Sequence, residues 1–376
     1  MKWEKVKLGN VTDSCLGKML DQNKNKGDYQ PYLANVNVRW GEFDLEDLPL
    51  MKFEESEQER YELKYGDLVI CEGGEPGRCA IWKEQIPNMK IQKALHRVRV
   101  HDCLDYRYLF YWFLLAGKTG ELDQYFTGAT IKHMPGQKLK EVVIDKPPLE
   151  IQHRIADILS AYDDLIENNQ KQIKLLKEAA QRLYKEWFVD LHFPGHENTK
   201  IVDGVPEGWS RGLLKELISV NYGKDHKKAP DDGNIPVYGS GGLMRKCNKS
   251  LFSGEAVLIP RKGSLNNIMY VDETFWTVDT MFYATMKQPH TAVFVYFFVK
   301  AFDMYSMNIG AAVPSMTTKI LDAMDVVIPD KETLEKFDKY AKVYFNKIKT
   351  LQGQNEQLKT ARDLLLPKLM SGEVEV

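Results

Sequence analysis

The stretch from Ile151 to Trp187 constrains the fold of this chain more than any other feature. Residues that are apolar or compatible with an apolar stripe recur there in steps of three or four, and most other positions are charged or polar. They are Ile151, Ile155, Ile158, Tyr162, Leu165 or Ile166, Asn169, Ile173, Leu176, Ala180, Leu183 and Trp187. This spacing predicts a long helix with a narrow apolar stripe. A narrow stripe needs a partner helix to cover it.

A partner helix is expected in the same chain, because the same spacing returns from Leu334 to Leu365. Each stripe contains one asparagine in phase with its apolar residues, Asn169 and Asn355. An in-phase asparagine fixes the register of a coiled coil at some cost in stability. It is equally compatible with a polar defect at a frayed or solvated turn, and the sequence leaves both interpretations open.

Two segments of the first half return in the second half in the same order. Gly254–Leu258 is similar to Gly66–Ile70 at an offset of 188 residues, and Tyr296–Val299 is similar to Tyr111–Leu114 at an offset of 185. Because the two offsets are nearly equal, they predict an internal repeat of one structural unit. We expect the two aromatic runs to form core rather than platforms on which bases stack.

The predicted fold class is α+β, with two similar α/β domains joined by two long helices packed as an antiparallel coiled coil with pseudo-twofold symmetry. The predicted boundaries are 1–148, 149–192, 193–329 and 330–376 for first domain, central helical spacer, second domain and distal helical spacer. A helix of about 37 residues is ~55 Å long. Two similar heads held at a fixed distance suit duplex DNA, because equivalent groove faces recur every ~34 Å.

The amino-acid composition indicates the class of protein and the cellular compartment. The 376 residues are 43% hydrophobic and 28% charged, which is typical of globular domains. Five cysteines without a C-x-x-C pair favour neither a disulfide framework nor a zinc site and indicate the reducing cytoplasm. No signal segment or membrane span is predicted. The net charge of -2 gives no global argument for nucleic acid, but residues 221–262 hold eight basic and four acidic side chains.

Several motifs in a duplicated order carry a family resemblance over nearly the whole chain. They are Pro147-Pro148-Leu149-Glu150-Ile151-Gln152, Val205-Pro206-Glu207-Gly208-Trp209, Ile235-Pro236-Val237-Tyr238-Gly239-Ser240-Gly241-Gly242, Leu258-Ile259-Pro260-Arg261-Lys262-Gly263-Ser264, Phe275-Trp276-Thr277 and Leu366-Pro367-Lys368-Leu369-Met370-Ser371-Gly372-Glu373. With these motifs the chain resembles the specificity (S) subunits of type I restriction-modification systems. One departure is Pro329-Asp330-Lys331, which lacks the fuller motif found at Pro147 to Gln152.

The resemblance implies two target-recognition domains, each of which reads one part of a split sequence in double-stranded DNA, and two helical regions that set the spacing. It also implies docking of two methyltransferase (M) subunits and of restriction (R) subunits. S-adenosylmethionine is expected on the M subunit, with no cofactor on this chain, and the S subunit itself performs no chemistry.

The residues themselves offer no catalytic or metal site. Asp145-Lys146-Pro147-Pro148-Leu149 fails to match the Asn/Asp-Pro-Pro-aromatic tetrad that an amino-methyltransferase needs, and we interpret it as a strand-to-helix turn. His192 and His196 have helical spacing, but Pro194 and Gly195 prevent the helix that would place them on one face.

DNA contact requires cationic, amide and hydroxyl side chains on loops, which bind phosphates and base edges. The candidates in the first domain are Lys24, Lys26, Arg39, Arg78, Lys93, Lys132 and His133. Those in the second domain are Lys224, Lys227, Lys228, Tyr238, Ser240, Arg245, Lys246, Arg261, Lys262, Asn266 and Asn267. Two rival functions remain open, a stand-alone DNA-modifying enzyme and a coiled-coil adaptor without DNA affinity.

Overall fold

The computed structural model describes residues 3–21, 25–307 and 315–376. The chain forms two compact units. Unit 1 comprises residues 1–169 and 354–376, and unit 2 comprises residues 170–353. Both long helices cross this division, so that each unit holds one globular part and a portion of each helix.

Unit 1 is built from short strands, an aromatic helix and the outer parts of the two long helices. Its described strands are β1 (Glu4–Lys7), β2 (Thr12–Leu16), β3 (Asp28–Leu33), β4 (Leu50–Phe53), β5 (Leu68–Cys71), β6 (Cys79–Ile81), β7 (Lys90–Ile91), β8 (Leu95–Val100) and β9 (Val143–Lys146). Its helices are α1 (Gln58–Tyr61), α2 (Tyr106–Thr119), α3 (Gly136–Glu141) and the first part of α4 (Leu149–Tyr184). The strands pair in the orders β2-β8-β5-β6, β4-β3-β7 and β1-β9.

Unit 2 repeats most of the elements of unit 1 in the same order. Its described strands are β10 (Ile201–Val202), β11 (Val205–Pro206), β12 (Ser210–Leu213), β13 (Ile218–Tyr222), β14 (Ile235–Gly239), β15 (Gly242–Cys247), β16 (Phe252–Pro260), β17 (Met269–Thr277), β18 (Met281–Met286) and β19 (Asp325–Ile328). Its helices are α5 (Ala292–Lys300), α6 (Thr318–Asp322) and the first part of α7 (Lys331–Met370). The strand orders are β13-β18-β16-β17-β14-β15, β12-β19 and β10-β11.

The six-stranded sheet of unit 2 corresponds to two separate sheets of unit 1. Strand β3 pairs parallel with β7 through Leu33 and Ile91, and β14 pairs parallel with the end of β17 through Tyr238 and Thr277. In unit 1 residues 82–89 separate β6 from β7, whereas β17 runs without a break. The predicted fold class, two similar α/β domains with two long antiparallel helices, is confirmed.

The two aromatic runs form helices inside the cores, as predicted. Helix α2 begins after Asp105, whose carboxylate accepts hydrogen bonds from the backbone N–H groups of Arg107 and Tyr108 at 2.7 and 3.2 Å. Every residue from Tyr108 to Leu114 is buried. In α5 the residues from Ala292 to Phe297 are buried in the same way. These rings therefore hold the domains together and are not available to stack on bases.

The two long helices pack antiparallel within each unit. In unit 1 the early residues Ile155 and Leu159 of α4 share a core with the late residue Leu366 of α7. In unit 2 the last residue of α4, Tyr184, lies against the early residue Phe337 of α7, with ring centroids 6.2 Å apart. Among the described residues, no helix combines the length and the apolar character that a bilayer crossing requires.

The two in-phase asparagines meet inside this packing. The side-chain amide of Asn169 donates to the amide oxygen of Asn355 at 2.8 Å, and the two residues are only 8% and 7% exposed. The interpretation as a solvated or frayed turn is therefore wrong. A buried amide pair instead lies in the apolar stripe, where a shift of either helix would leave both amides without their partner.

Replacing Asn169 alone by leucine is expected to lower the free energy of unfolding by about 1–3 kcal/mol, because the buried amide of Asn355 loses its partner. The double variant Asn169→Leu/Asn355→Leu should recover most of that loss, since neither helix then buries an amide. Denaturant unfolding of the wild type, both single variants and the double variant measures the coupling. Losses that simply add would contradict the pairing.

The start of α4 confirms the strand-to-helix interpretation of residues 145–149. Strand β9 ends at Lys146, and α4 begins at Leu149. The buried side chain of Gln152 fixes the turn, accepting from the Asp105 N–H at 2.9 Å and donating to the Pro147 carbonyl at 2.8 Å. Glutamine at this place thus ties the helix start to the loop before α2.

The start of α7 uses a carboxylate where α4 uses that glutamine. Helix α7 begins at Lys331, and Asp330 accepts from the N–H of Thr333 at 2.9 Å and from its hydroxyl at 2.7 Å. The indole N–H of Trp209 donates to the same carboxylate at 2.9 Å. The motif of residues 147–152 has no counterpart after Pro329, and Asp330 serves there as the N-cap of α7. Through Trp209, the same carboxylate also fixes the first residues of the second domain.

Asp330→Ala is expected to destabilise unit 2 by about 1–2 kcal/mol at neutral pH, because the cap of α7 is lost. Although burial raises the pKa of the Asp330 carboxyl, the hydrogen bonds from Thr333 and Trp209 outweigh it and lower the pKa below its usual value. A carboxyl whose pKa is lower in the folded state stabilises the fold fully at pH values above its unfolded-state pKa. This stabilisation is lost as the pH falls through the folded-state pKa. Thermal unfolding across pH should therefore show the variant approaching the wild type in acid, with Asp330→Asn as the control that keeps the cap.

Candidate nucleic-acid interface

Four loops of unit 2 meet at one place, which we call the unit 2 loop junction and define as residues 222–224, 238–240, 261–267 and 277–280. Backbone N–H groups tie the loops together. Lys224 donates to the Thr277 carbonyl at 2.9 Å, Val278 donates to the Tyr238 carbonyl at 3.0 Å, and Arg261 donates to the Thr280 carbonyl at 2.8 Å. Because these three ties use backbone groups, they occupy no side chain of the junction.

Cationic side chains project from this junction. The guanidinium of Arg261 lies 5.5 Å from the ring centre of the exposed Tyr222, and it donates to the Asp279 carbonyl at 3.3 Å. Its neighbour Lys262 is exposed, as is Lys224. An arginine held on an aromatic face keeps its remaining N–H groups in a fixed direction, which suits phosphate or guanine.

The predicted amide and hydroxyl candidates of the second domain are partly used inside the junction. Asn267 donates to the Ser240 carbonyl at 2.9 Å, and Asn266 donates to the Asp303 carboxylate at 3.0 Å. The Tyr238 hydroxyl donates to Glu273 at 2.5 Å, and burial together with this carboxylate raises the pKa of Tyr238, which keeps it protonated. These groups shape the loops, and the amide oxygen of Asn266 also accepts from the Met304 N–H at 2.8 Å. An amide oxygen or a hydroxyl has a second acceptor position in addition to the one that is used.

A neighbouring loop carries the lysines of the predicted basic cluster. Asp225 accepts from the Lys227 N–H at 3.0 Å and caps a short helical turn, from which Lys227 and Lys228 extend into solvent. Arg245 binds the Asp231 carboxylate, the His226 carbonyl and, at 2.8 Å, the Ala229 carbonyl. The guanidinium of Arg245 therefore holds this loop in place, and Lys246 beside it is exposed.

Unit 1 contains an equivalent unit 1 loop junction, formed by residues 16–18, 33–35, 72–78 and 91–94. Here Lys18 donates to the Ile91 carbonyl at 3.0 Å, Gln92 to the Leu33 carbonyl at 3.1 Å, and Glu72 to the Ala94 carbonyl at 2.9 Å. Each bond repeats one of unit 2, so that the duplication extends to individual hydrogen bonds.

The residues of the first domain that are predicted to contact DNA differ in their exposure to solvent. Lys26, Arg39, Lys93, Lys132 and His133 are exposed, and Lys24 lies outside the described residues. Lys132 lies 5.6 Å from the ring centre of Phe126. Arg78 is largely enclosed and bonds to Glu75 at 3.0 Å and to the Asn35 side chain at 2.9 Å, so that its guanidinium joins two loops of the junction.

A cavity of about 360 Å³ lies beside the unit 1 loop junction. Its lining residues are Trp40, Glu75, Phe110, Leu114, Gly117, Lys118 and Arg362. The indole N–H of Trp40 donates to Glu75 at 2.7 Å, and Lys118 pairs with Asp363 at 2.5 Å. The charged groups that line the cavity thus have partners within unit 1. Such paired groups are typical of a gap between packed elements and not of a catalytic pocket.

Two buried thiols, those of Cys71 and Cys79, lie beside the unit 1 loop junction. Burial raises the pKa of the Cys71 thiol to about 11, so that it is protonated at neutral pH. Burial also raises the pKa of Cys79 well above its usual value. These two thiols are therefore not nucleophiles at neutral pH.

Comparison with known proteins identifies the family. The family model for the type I restriction modification DNA specificity domain matches residues 1–178 and 206–360. The chain belongs to this family. It is a specificity subunit of a type I restriction-modification system, the non-catalytic component of the complex.

Individual relatives agree with this assignment. The specificity subunit is 27% identical over 352 residues to the type I restriction enzyme MjaIX specificity subunit of Methanocaldococcus jannaschii, covering 83% of this chain and 78% of the relative. It is 24% identical to the MjaVIII specificity subunit of the same organism, covering 100% of this chain and 93% of the relative. The crystal structure of a type I restriction-modification S subunit from M. genitalium is similar in fold, with a TM-score of 0.59, 18% identity, and coverage of 98% and 96%.

Proposed function

We propose that this specificity subunit binds a bipartite, asymmetric DNA target through two recognition domains, residues 1–148 and 193–329. The observation that carries the proposal is the duplicated loop junction, because two frameworks with the same hydrogen bonds and different side chains suit two different half-sites. The helical regions 149–192 and 330–376 would then set the number of base pairs between the half-sites.

Phosphate contacts and base contacts are expected from different members of the candidate set. The exposed cations are suited to phosphates, whose charged oxygens attract ammonium and guanidinium groups alike. They are Lys26, Arg39, Lys93, Lys132, Lys224, Lys227, Lys228, Lys246 and Lys262. Arg261, His133, Ser240, Asn266 and Asn267 lie at or beside the junctions and are suited to base edges in the major groove. Arg78, Arg245 and Tyr238 are proposed to act by holding the loops that carry them.

The same subunit is proposed to join the catalytic subunits to the target. Two similar domains offer two similar docking surfaces, which suits two methyltransferase subunits, and restriction subunits would join that assembly. S-adenosylmethionine would be bound by the methyltransferase subunits. Cytoplasmic DNA is the expected substrate of the whole complex.

Reconstitution with the methyltransferase subunit tests the proposal. We expect the assembled complex to bind duplex DNA in a fluorescence anisotropy assay with affinity that falls steeply as salt rises, because phosphate contacts release counterions. We also expect transfer of labelled methyl groups from S-adenosylmethionine to DNA only when both subunits are present. Methylation by this chain alone would favour a stand-alone enzyme, and a complex without DNA affinity would favour an adaptor.

A further inference from the structure

Glu72 of unit 1 and Arg261 of unit 2 occupy the same place in the duplicated framework. The Glu72 N–H donates to the Ala94 carbonyl at 2.9 Å, and its carbonyl accepts from the Met134 N–H at 2.7 Å. The Arg261 N–H donates to the Thr280 carbonyl at 2.8 Å, and its carbonyl accepts from the Met316 N–H at 2.9 Å. The backbone of both residues is therefore fixed identically, while their charges are opposite.

The neighbouring positions strengthen this difference in charge. Gly73 follows Glu72, whereas Lys262 follows Arg261. Lys18 is the counterpart of Lys224 by its backbone bond, yet its ammonium is buried, donates to the Lys52 carbonyl at 2.9 Å and pairs with Glu57. The exposed Lys224 has no such side-chain bond among the described residues. The position shared by Glu72 and Arg261 is thus anionic in unit 1 and cationic in unit 2, while the exposed Lys93 also belongs to the unit 1 loop junction.

The carboxylate of Glu72 forms no hydrogen bond or ion pair within the described ranges, and the residue is half-buried. Its field acts on His96, whose pKa is nevertheless lowered because burial outweighs the bond to the Met134 carbonyl and the effect of Glu72. A carboxylate facing DNA is repelled by phosphates, so it cannot serve as a positioning contact. In the major groove a glutamate accepts a hydrogen bond from the exocyclic amino group of cytosine.

We propose that Glu72 reads a cytosine in the first half-site and that Arg261, at the matching position, reads a guanine in the second. The inference rests on the proposed function and names the specificity-determining pair of its two junctions. Glu72 accepts from cytosine N4–H, and Arg261 donates to guanine O6 and N7. One framework thereby reads different bases through a change of side chain at one position.

The test maps methylated adenines across the genome of a host that expresses the methyltransferase subunit with wild-type chain or with Glu72→Gln. Glutamine prefers adenine, so the variant should lose discrimination at one cytosine position by roughly ten- to hundredfold and accept adenine there. The rest of the motif should be unchanged. Glu150→Gln removes the same charge from the exposed first turn of α4 and should leave the motif intact.

Arg261→Gln provides the second variant and should relax one guanine position in the other half-site only. An unchanged motif in either variant would overturn the inference, as would changes in both half-sites from one substitution. A variant complex that keeps its thermal unfolding temperature but methylates no site would also overturn it. If the wild-type complex yields no bipartite motif, the proposed function itself fails.

Discussion

Replacing Lys224, Lys227 and Lys228 together by glutamine is expected to weaken DNA binding by several hundredfold at about 0.1 M salt, because each lost phosphate contact removes ~0.9 from the slope of log affinity against log salt. The three ammonium groups are exposed, and Asp225 holds the turn from which two of them extend. Their removal should therefore leave the fold unchanged. Anisotropy titrations of the complex over a range of salt measure both affinity and slope.

A matched control replaces Lys174, Lys177 and Lys339 by glutamine. These lysines are exposed on the long helices, and their replacement changes the net charge of the chain by the same amount as the loop variant does. The control should keep the wild-type slope, whereas the loop variant should lose about 2.7 from it. Equal losses in both variants would mean that the basic loop makes no local contact with phosphates.

Deleting residues 171–177 from α4 together with 347–353 from α7 is expected to shorten the spacer between the half-sites by roughly two to three base pairs, since seven helical residues span about 10.5 Å. The two deleted segments lie at equal sequence distances from the Asn169–Asn355 pair, so the antiparallel register is preserved. Seven residues also keep the repeat of the apolar stripe. Both half-site sequences should remain as in the wild type.

Deleting either segment alone supplies the control for this prediction. One helix then slides against the other, the buried asparagines lose their partner, and we expect loss of stable complex. Methylation mapping reports the spacer of the paired deletion. Retention of the original spacer by a stable paired deletion would contradict the role of the helices in setting the distance.

Periodicity was sufficient to predict the long helices and their pairing. The step of three and four residues from Ile151 and again from Leu334 identifies α4 and α7, because helix packing depends on which side chains share a face. The two aromatic runs lie in the core, as predicted. The start of α7 is not marked by the motif found before α4. Asp330 caps the helix there instead, and its partner Trp209 is distant in sequence.

The two loop junctions could not be predicted from the sequence. Their bonds join backbone groups from segments far apart in the chain, and backbone groups leave no trace in residue identity. Lys18 and Lys224 illustrate the difficulty, because both are lysines and only the structure shows one buried beside Glu57 and the other exposed. Burial of this kind depends on tertiary packing.

Glu72 was missed for a chemical reason. The sequence search for DNA contacts considered cations, amides and hydroxyls, which attract phosphates, whereas a carboxylate contributes only through a base. Its equivalence to Arg261 depends on backbone bonds to Ala94 and Met134. A comparison of the two halves that looked for charge inversion at matching positions would have found it.

Sequencing of methylated adenines in DNA from cells that express this chain with its methyltransferase subunit tests the central claim most directly. Two junctions with the same framework and different side chains predict an asymmetric motif of two short defined parts separated by a fixed run of unspecified bases. A continuous motif, or two identical half-sites, would contradict the account.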